Sequence, residues 1–571
     1  MARDFTLDIT RFLGIDNSSE HPESLSDGVS PDMVNLQVTP DYHLKRRDGF
    51  YSVSTKTKPI RGIYYVVMGE ENRYLAVAGD TLYHSTQGFL ALTPVEGVVP
   101  GTGNVTFFHF YSKVYLLTGD GILEYDGENL RVPQPYIPTL MISTNADGSG
   151  VVYEEVNLLT RKVKQLFSGD DRSCRFVPIT TDIKKVDYVK VDGVEMEPNT
   201  YIWDDGDLVF ILGAAPRKGV DNIEIQYELE GEDLSHVILK SRFATAFGGA
   251  SDTRAFLYGN AENPAVRYHS GIVDGKPEFT YFPETAVSLV GNGDPITSIL
   301  CHYDRQLIFT TSAAYYSYLE YMTGTDGKLV TAFPVFPLND ERGNCPSGQA
   351  VLIENTPYTL TENGLFQWIS TNIRDERNAK SISEPIDRSL RNEKTDEAVL
   401  FNRKDTQELY VCIGSHCYVY NYRLKLFYYY DLNGFQPRGF VQGEKDLFFF
   451  AGNSIFKMAG NTDEAWPIFT RWRSRFFDFS KAGLQKKLFG MTLYLKAEEG
   501  EDFRIGIRED HEEMSAKKIL SVLPAKDSAK KRVFMKKRRF RLLEVEIETD
   551  GRKPFSLLGL SLKGRITDRE D

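Results

Sequence analysis

The chain has 571 residues, of which 41% are hydrophobic and 26% charged, with 80 acidic residues against 67 lysines and arginines. This composition is typical of a folded chain and excludes global disorder. The apolar runs fall short of the roughly 18 residues that cross a bilayer, the N-terminus lacks the apolar core of a signal peptide, and five cysteines are too few for a disulfide framework. We expect a protein of several domains, made in a cytoplasm, without a membrane span.

The first predicted region, residues 1–58, shows no strong hydrophobic period. We expect it to wrap around the next domain and to supply one closing strand. A short pattern then recurs: an apolar strand, a tight turn of Gly, Asn or Asp, and a second strand rich in aromatic residues. It first appears at 74–85 and 114–127. Alternation at period two around such a turn predicts a β-hairpin with one buried face.

The spacing of these hairpins predicts the architecture. Their turns fall near residues 79, 119, 259, 311, 362, 414 and 452. Most are separated by about 40 to 50 residues, the length of a four-stranded propeller blade. The spacing favours an all-β protein built around a β-propeller of six or seven blades, and a series of open β-sandwiches is the structural alternative. The one long gap leaves room for an inserted β-domain, within which 157–167 fits either a short helix or a strand.

After Gly460 the hairpin pattern ends and five longer alternating strands follow. They predict a C-terminal β-sandwich. The predicted domain ranges are 1–58 for the N-terminal wrapping segment, 59–136 and 236–462 for the two parts of the propeller, 137–235 for the inserted β-domain and 463–571 for the C-terminal sandwich.

Charge is divided between these regions. Residues 466–571 carry 25 lysines and arginines against 17 acidic residues, a net charge of +8, whereas residues 1–465 carry a net charge of −21. The densest basic run is 526–541, with nine basic residues and one acidic residue. Such a run is either a solvated pair of strands or a surface that contacts an acidic partner or nucleic acid.

The sequence contains no motif of catalysis, cofactor binding or metal binding that we recognise. It lacks the phosphate-binding and dinucleotide-binding glycine loops, the serine nucleophile elbow and the helical zinc motif. We therefore expect no enzyme activity, no cofactor and no metal. Because any of the 80 carboxylates could form an acid pair at a propeller mouth, a propeller glycosidase or lyase is the alternative. Cys412 and Cys417 are expected on opposite faces of one strand.

One N-terminal segment resembles a known family. Residues 25–50 read LSDGVSPDMVNLQVTPDYHLKRRDGF, and they resemble the opening of phage tail stabilization or nozzle proteins, which are podovirus-type tail tubular proteins. Asp41-Tyr42 replaces the usual Asp-Gly, and Asp48 stands where proline is common. Later phrases, at 256–260 and 279–284, look similar too, so the resemblance covers about residues 6–460.

The resemblance implies a structural protein of the virion tail, assembled in the host cytoplasm. Such proteins form a homohexameric nozzle below a portal and an adaptor ring, and double-stranded DNA leaves through the central channel without sequence readout. A carbohydrate-binding or depolymerising propeller tail protein is the alternative. In that case aromatic side chains on a propeller rim, for example within 428–430, would stack on sugars, although packing between blades is the favoured interpretation of these tyrosines.

Basic side chains are the candidates for contacts between proteins. Arg46 and Arg47 lie in the segment that resembles the tail proteins, and the others lie in the basic run: Lys536, Lys537, Arg538 and Arg539. A basic wall would hold DNA through its phosphates. We therefore expect the basic run to lie away from a DNA channel, on a surface that meets another tail protein.

Overall fold

A computed structural model describes residues 3–211, 215–249, 252–323, 329–369, 378–481, 483–498, 501–514, 518–521, 529–533 and 539–567. The fold is nearly all-β, with 53% of the residues in strands and 4% in helices. The described helices are the α-helices Ser235–Leu239 and Asp387–Leu390 and the 3-10 turns Pro22–Ser24, Phe89–Ala91, Glu384–Ile386 and Thr395–Glu397. None of them is long and apolar enough to cross a membrane.

Seven sheets within the described residues are the blades of a β-propeller. Blades 1 to 3 consist of Ile60–Met68, Glu71–Ala78, Thr81–Ser85 and Thr93–Pro94; Thr106–Phe110, Lys113–Leu117, Ile122–Tyr125 and Leu130–Arg131; and Phe243–Gly249, Asp252–Tyr258, Val266–His269 and Val287–Leu289. Blades 4 to 6 consist of Ile296–His302, Arg305–Thr310, Ala314–Tyr318 and Val335–Asn339; Val351–Ile353, Thr356–Thr361, Gly364–Trp368 and Ala379–Ser381; and Val399–Arg403, Glu408–Ile413, His416–Asn421 and Leu426–Asp431. Small hairpins extend blades 3 and 4: Gly271–Val273 with Lys276–Glu278, and Glu320–Thr323 with Leu329–Ala332.

Blade 7 closes the ring with a strand from the other end of the propeller sequence. Its strands Gly439–Gln442, Leu447–Ala451 and Ser454–Met458 are completed by Phe50–Thr55, which pairs antiparallel with the last of them, and the sheet continues into Thr462–Asp463 and Trp466–Pro467. The first strand of blade 7 packs beside the first strand of blade 1. The expected closing strand from the N-terminal region is therefore present, and it covers the edge that Ser454–Met458 would otherwise expose.

The inserted region forms its own small β-domain between blades 2 and 3. One sheet contains Val151–Val152, Thr139–Thr144, Lys162–Gly169, Gly219–Leu229, Ile183–Val191 and Val194–Glu195, and a second contains Arg175–Phe176, Asp207–Phe210 and Tyr201–Asp204. Burial alternates along Lys162–Gly169 at period two, so most of the segment that fitted either a helix or a strand is a half-buried strand.

The C-terminal region is a two-sheet sandwich that includes strands from the N-terminus. One sheet contains Leu36–Val38, Leu44–Arg46, Phe555–Thr567, Gln485–Ala497, Ala529–Val533, Arg3–Ile9 and Arg539–Phe540, and the other contains Asp32–Val34, Thr470–Arg473, Leu543–Thr549, Asp502–Glu509 and Lys518–Ser521. The predicted fold class, a propeller with an inserted β-domain and a C-terminal sandwich, is confirmed. As independently folding units, the predicted domain ranges stay predictions.

A single hydrophobic core joins the sandwich to blades 5 to 7. It runs from Leu493 and Val545 in the sandwich, through Trp472 and the N-terminal Leu36, to Tyr428 in blade 6. Each of these side chains is at most 3% exposed. Because apolar area removed from water is the main stabilising contribution to folding, a continuous core of this kind fixes the sandwich against one side of the propeller.

Blade 6 corrects one sequence expectation and clarifies another. Cys412 and Cys417 do not lie on opposite faces of one strand, because a two-residue turn places them on neighbouring strands as directly opposed partners. Both thiols are buried. In the tyrosine run, Tyr428 and Tyr430 are packed inside, at 0% and 1% exposed, and Tyr429 is half-buried.

Candidate functional site at the junction of propeller and sandwich

The segment 25–50, which carries the family resemblance, lies where the propeller and the sandwich meet. Its strands up to Leu44–Arg46 belong to the sandwich, and the next strand, Phe50–Thr55, belongs to blade 7. Only residues 47–49 separate these two strands. The chain thus crosses from one domain to the other in a very short connection, and the side chains around the crossing couple the two domains. We call this crossing with its partners the junction.

Arg46 extends from the crossing into the sandwich side. Its guanidinium donates to the Glu501 carboxylate and, through Nη1, to the Lys553 carbonyl oxygen at 2.7 Å. The same carboxylate accepts the Thr549 hydroxyl at 2.7 Å. The Arg46 and Glu501 side chains are 1% and 0% exposed. Burial lowers the pKa of the Arg46 guanidinium, and the Glu501 charge opposes this shift.

Arg47 extends from the crossing toward blades 6 and 7 and uses all five of its N–H groups. Nη1 and Nη2 donate to the two Asp463 carboxylate oxygens at 2.8 and 2.6 Å. Nε donates to Asn35 Oδ1 at 2.8 Å, and the remaining N–H groups donate to the carbonyl oxygens of Asp48 at 3.0 Å and Asp431 at 2.8 Å. This two-pronged contact with a carboxylate requires the planar guanidinium.

Two opposing influences act on the pKa of Asp463, the carboxylate partner of Arg47. Burial raises the pKa of the Asp463 carboxyl, and its hydrogen bonds with Arg47 lower it. Asp463 and Arg47 are 2% and 1% exposed at their side chains. The pair therefore costs desolvation and is kept favourable only by the completeness of its hydrogen bonds.

Asn35 connects the crossing to two other stretches of chain. It has a left-handed backbone conformation, with φ at 55°, which asparagine tolerates better than most residues. Its Nδ2 donates to the Phe469 carbonyl oxygen at 2.8 Å, and its Oδ1 accepts the Asp431 backbone N–H at 2.9 Å as well as Arg47 Nε. The side chain thereby fixes the linker after blade 7 and the end of blade 6 to the same point.

Two glycines of the segment are required by close approaches of other backbone. A Cβ at Gly28 would lie 2.1 Å from the Arg11 carbonyl oxygen, and Gly28 has φ at 86°. A Cβ at Gly49 would lie 2.1 Å from the Thr462 carbonyl oxygen. Real Cβ contacts are never this short, so any other residue would push the crossing away from its neighbours.

Partly exposed ion pairs surround the buried ones. Asp27 accepts Arg475 Nε at 2.8 Å, and Asp32 lies 2.9 Å from Arg471 and 3.2 Å from Arg473. Each pair joins the N-terminal segment to the strand Thr470–Arg473 or the residues directly after it. Ion pairs of this exposure contribute little singly, but here they align the segment along the sandwich edge.

A row of buried carboxylates lies on the same sheet. Glu544, Glu546 and Glu548 alternate along one strand at side-chain exposures of 2%, 3% and 7%, and arginines of the neighbouring strands cover them. Arg508 Nε lies 3.4 Å from Glu544, and Arg473 Nη2 lies 2.8 Å from Glu546. Burial raises the pKa of Glu544 to about 7, against the attraction of these arginines.

The predicted contact residues occupy very different places. Arg46 and Arg47 are internal, with their guanidiniums bound to carboxylates of the same chain, so neither forms part of the surface of this chain. Their role in contacts between proteins stays a prediction, and in the folded chain five acceptors satisfy the Arg47 guanidinium. Lys536, Lys537 and Arg538 lie outside the described residues. Arg539 is exposed, in a short strand opposite Lys487.

A cleft of about 630 Å³ opens beside the junction, between blade 6, the helix Asp387–Leu390 and the N-terminal segment. In its wall, Glu393 Oε1 accepts His416 Nδ1 at 2.7 Å and the Tyr418 hydroxyl at 2.9 Å. Tyr429 also lines the cleft, and its ring lies 5.4 Å from that of Tyr418. Burial raises the pKa of the Tyr418 and Tyr429 hydroxyls, so both stay protonated.

Sequence reasoning did not identify Asn35, Asp463, Glu501 or the His416–Glu393 pair. Asn35 lies inside the segment that carries the resemblance, which could have marked it. No sequence signal marked Asp463 or Glu501, since an acidic residue that pairs with a distant arginine cannot be told in sequence from any other acidic residue. Among the described residues, no group of three or more His, Cys, Asp or Glu side chains is arranged to hold a metal ion.

Comparison with protein-family models and with curated proteins gives no match. Among solved structures, the chain is similar to the AfRom2 CNH domain, with 7% identity and a TM-score of 0.35 over 72% of this chain and 98% of that chain. It is also similar to BamB from Moraxella catarrhalis, with 9% identity and a TM-score of 0.32 over 72% and 96% of the two chains. A third is an exo-beta-1,3-galactanase from Phanerochaete chrysosporium, with 8% identity and a TM-score of 0.23 over 90% and 99%.

Proposed function

We propose that this chain is a structural protein of a phage tail, a nozzle subunit that forms a ring around a channel for double-stranded DNA. One observation carries the proposal: the residues that resemble the opening of the nozzle family are those that couple the propeller to the sandwich. Asn35, Arg47 and the two close-packed glycines each have a mechanical task in the junction. A segment of this kind keeps the propeller and the sandwich in a fixed relative position, as the wall of a channel requires.

The charge distribution supports a path for DNA. Residues 1–465 carry a net charge of −21. A negatively charged wall repels phosphates, so that DNA passes without the salt-dependent affinity that basic contacts create. In this proposal the protein reads no sequence, and the basic run 526–541 meets acidic neighbours in the tail.

The proposal includes the assembly that the resemblance implies. Six copies form a ring below a portal and an adaptor ring, the ring is part of the virion tail, and assembly takes place in the host cytoplasm. The shared core holds the sandwich against blades 5 to 7, so a contact on the sandwich would also fix the position of those blades in the ring.

Electron microscopy of the purified full chain, alone and mixed with a portal and adaptor ring, tests the proposal. A six-fold ring with a central hole is the expected result. The same preparation should not retain short duplex DNA at physiological salt. A chain that stays monomeric under both conditions, or a tight complex with duplex DNA, would contradict the proposed role.

The basic run offers a test of the predicted tail contact. Replacing Lys536, Lys537, Arg538 and Arg539 with Glu should impair tail assembly and leave the subunit folded. In this proposal the run lies at the surface, where substitutions usually cost little stability. Normal tails combined with altered DNA release would place the run on the DNA path instead.

A further inference from the structure

The cleft beside the junction has a wall of polar side chains that are held in place before any ligand binds. Glu393 is fixed by His416 and Tyr418, both of which donate to its Oε1. Both of these bonds use Oε1, so Oε2 of Glu393 can accept a further hydrogen bond. Elsewhere in the lining, Asn17 Nδ2 donates to the Ser389 hydroxyl at 2.6 Å. Preformed walls reduce the entropy that binding costs.

The charges of the cleft nearly cancel. Asp32 is already paired with Arg471 at 2.9 Å. The other charged lining groups are Glu20, Glu393 and Arg388. A strongly anionic or cationic ligand would therefore meet a like charge on one wall. A neutral ligand that both donates and accepts hydrogen bonds can pair with the polar side chains of this lining.

The cleft also offers an aromatic surface of the right kind. Tyr429 is half-buried, and its ring is braced by Tyr418 at 5.4 Å and by His416 at 5.8 Å. A braced tyrosine presents apolar area at low entropic cost and keeps a polar hydroxyl at its edge. The apolar faces of a sugar ring fit such a surface, while its hydroxyls fit the surrounding acceptors and donors. The volume of about 630 Å³ lies within the range of small-molecule sites.

We propose that this cleft is a binding site for a short neutral saccharide, with Tyr429 as the stacking platform and Glu393, Asn392 and Arg388 as hydrogen-bonding groups. The inference does not depend on the nozzle proposal, because it uses only the cleft. It assigns binding and no chemical step.

Saturation-transfer NMR and titration calorimetry on the full chain test the site. The probes are glucose, galactose, N-acetylglucosamine and their common disaccharides, with sodium phosphate as the anionic comparison. At least one neutral disaccharide should bind. Tyr429→Ala should weaken its binding by about tenfold, the size expected for losing one aromatic contact, and Tyr429→Phe should retain it.

A matched control separates the site from the surface at large. Tyr303 is 76% exposed in blade 4, away from the cleft lining, so Tyr303→Ala should leave binding unchanged. If Tyr429→Ala fails to fold, Glu393→Gln takes its place. It keeps the side-chain shape, and it should weaken saccharide binding because it removes the carboxylate acceptor. The proposal is overturned if no saccharide of the panel binds, if Tyr429→Ala and Glu393→Gln bind like the Tyr303 variant, or if phosphate binds the cleft more tightly than every sugar.

Discussion

Replacing Arg47 with Met should be among the most destabilising single changes in this chain. The substitution keeps most of the side-chain volume and removes all five hydrogen bonds of the guanidinium. It leaves the Asp463 carboxylate 2% exposed and without its cation. Removing one partner of a buried ion pair costs about 3–5 kcal/mol, because the other charge stays desolvated. The free energy of unfolding should fall by about that amount.

Urea unfolding followed by tryptophan fluorescence measures this loss. Trp472, one of four tryptophans, is 1% exposed in the shared core, so it contributes to the change in emission when the junction opens. The matched control is Arg565→Met. Arg565 also pairs with a carboxylate, that of Asp4, but the two side chains are 47% and 65% exposed, and an exposed pair contributes little. The control should unfold like the wild type.

The double variant decides whether the cost arises from the orphaned charge. Arg47→Met combined with Asp463→Leu removes both charges, and replacing a buried pair by apolar groups is often close to neutral. The double variant should therefore be more stable than Arg47→Met alone. If Arg47→Met costs no more than the Arg565 control, the reasoning about the junction is refuted.

Three further predictions follow from single groups. In the folded protein the pKa of the Glu544 carboxyl is raised to about 7 from an ordinary value near 4.5. Between these pH values the native state binds more protons than the unfolded state, so the stability of the wild type falls as the pH rises. Unfolding curves should therefore show that Glu544→Gln is more stable than the wild type by up to about 3 kcal/mol at pH 8 and equally stable below pH 4. Gly28→Ala should lower the melting temperature more than Gly69→Ala, since both have positive φ but only Gly28 has backbone within 2.1 Å of the new methyl; equal shifts would deny the close approach. Cys412 and Cys417 are buried, and burial raises the pKa of the Cys412 thiol, so iodoacetamide at pH 8 should label both by mass spectrometry only after unfolding.

The blades could be predicted from the sequence because their signals are local. Each hairpin carries its own alternation and its own turn, and Gly414 in blade 6 and Gly452 in blade 7 have the left-handed backbone that such turns require. Regular spacing of these local units then implied a propeller. The five C-terminal strands were evident for the same reason.

The junction could be decided only by the tertiary structure. Arg47 and Asp463 are 416 residues apart in sequence, and nothing in the neighbourhood of either residue indicates the other. A charged side chain looks the same in sequence whether water or a buried carboxylate surrounds it, so the sequence could not show that Arg46 and Arg47 are buried. The prediction for Cys412 and Cys417 was wrong because the short turn between them was taken as part of one strand. The turn places the two residues on neighbouring strands, directly opposite each other. Sequence patterns determine local conformation, whereas desolvation and pairing depend on which distant segments the fold brings together.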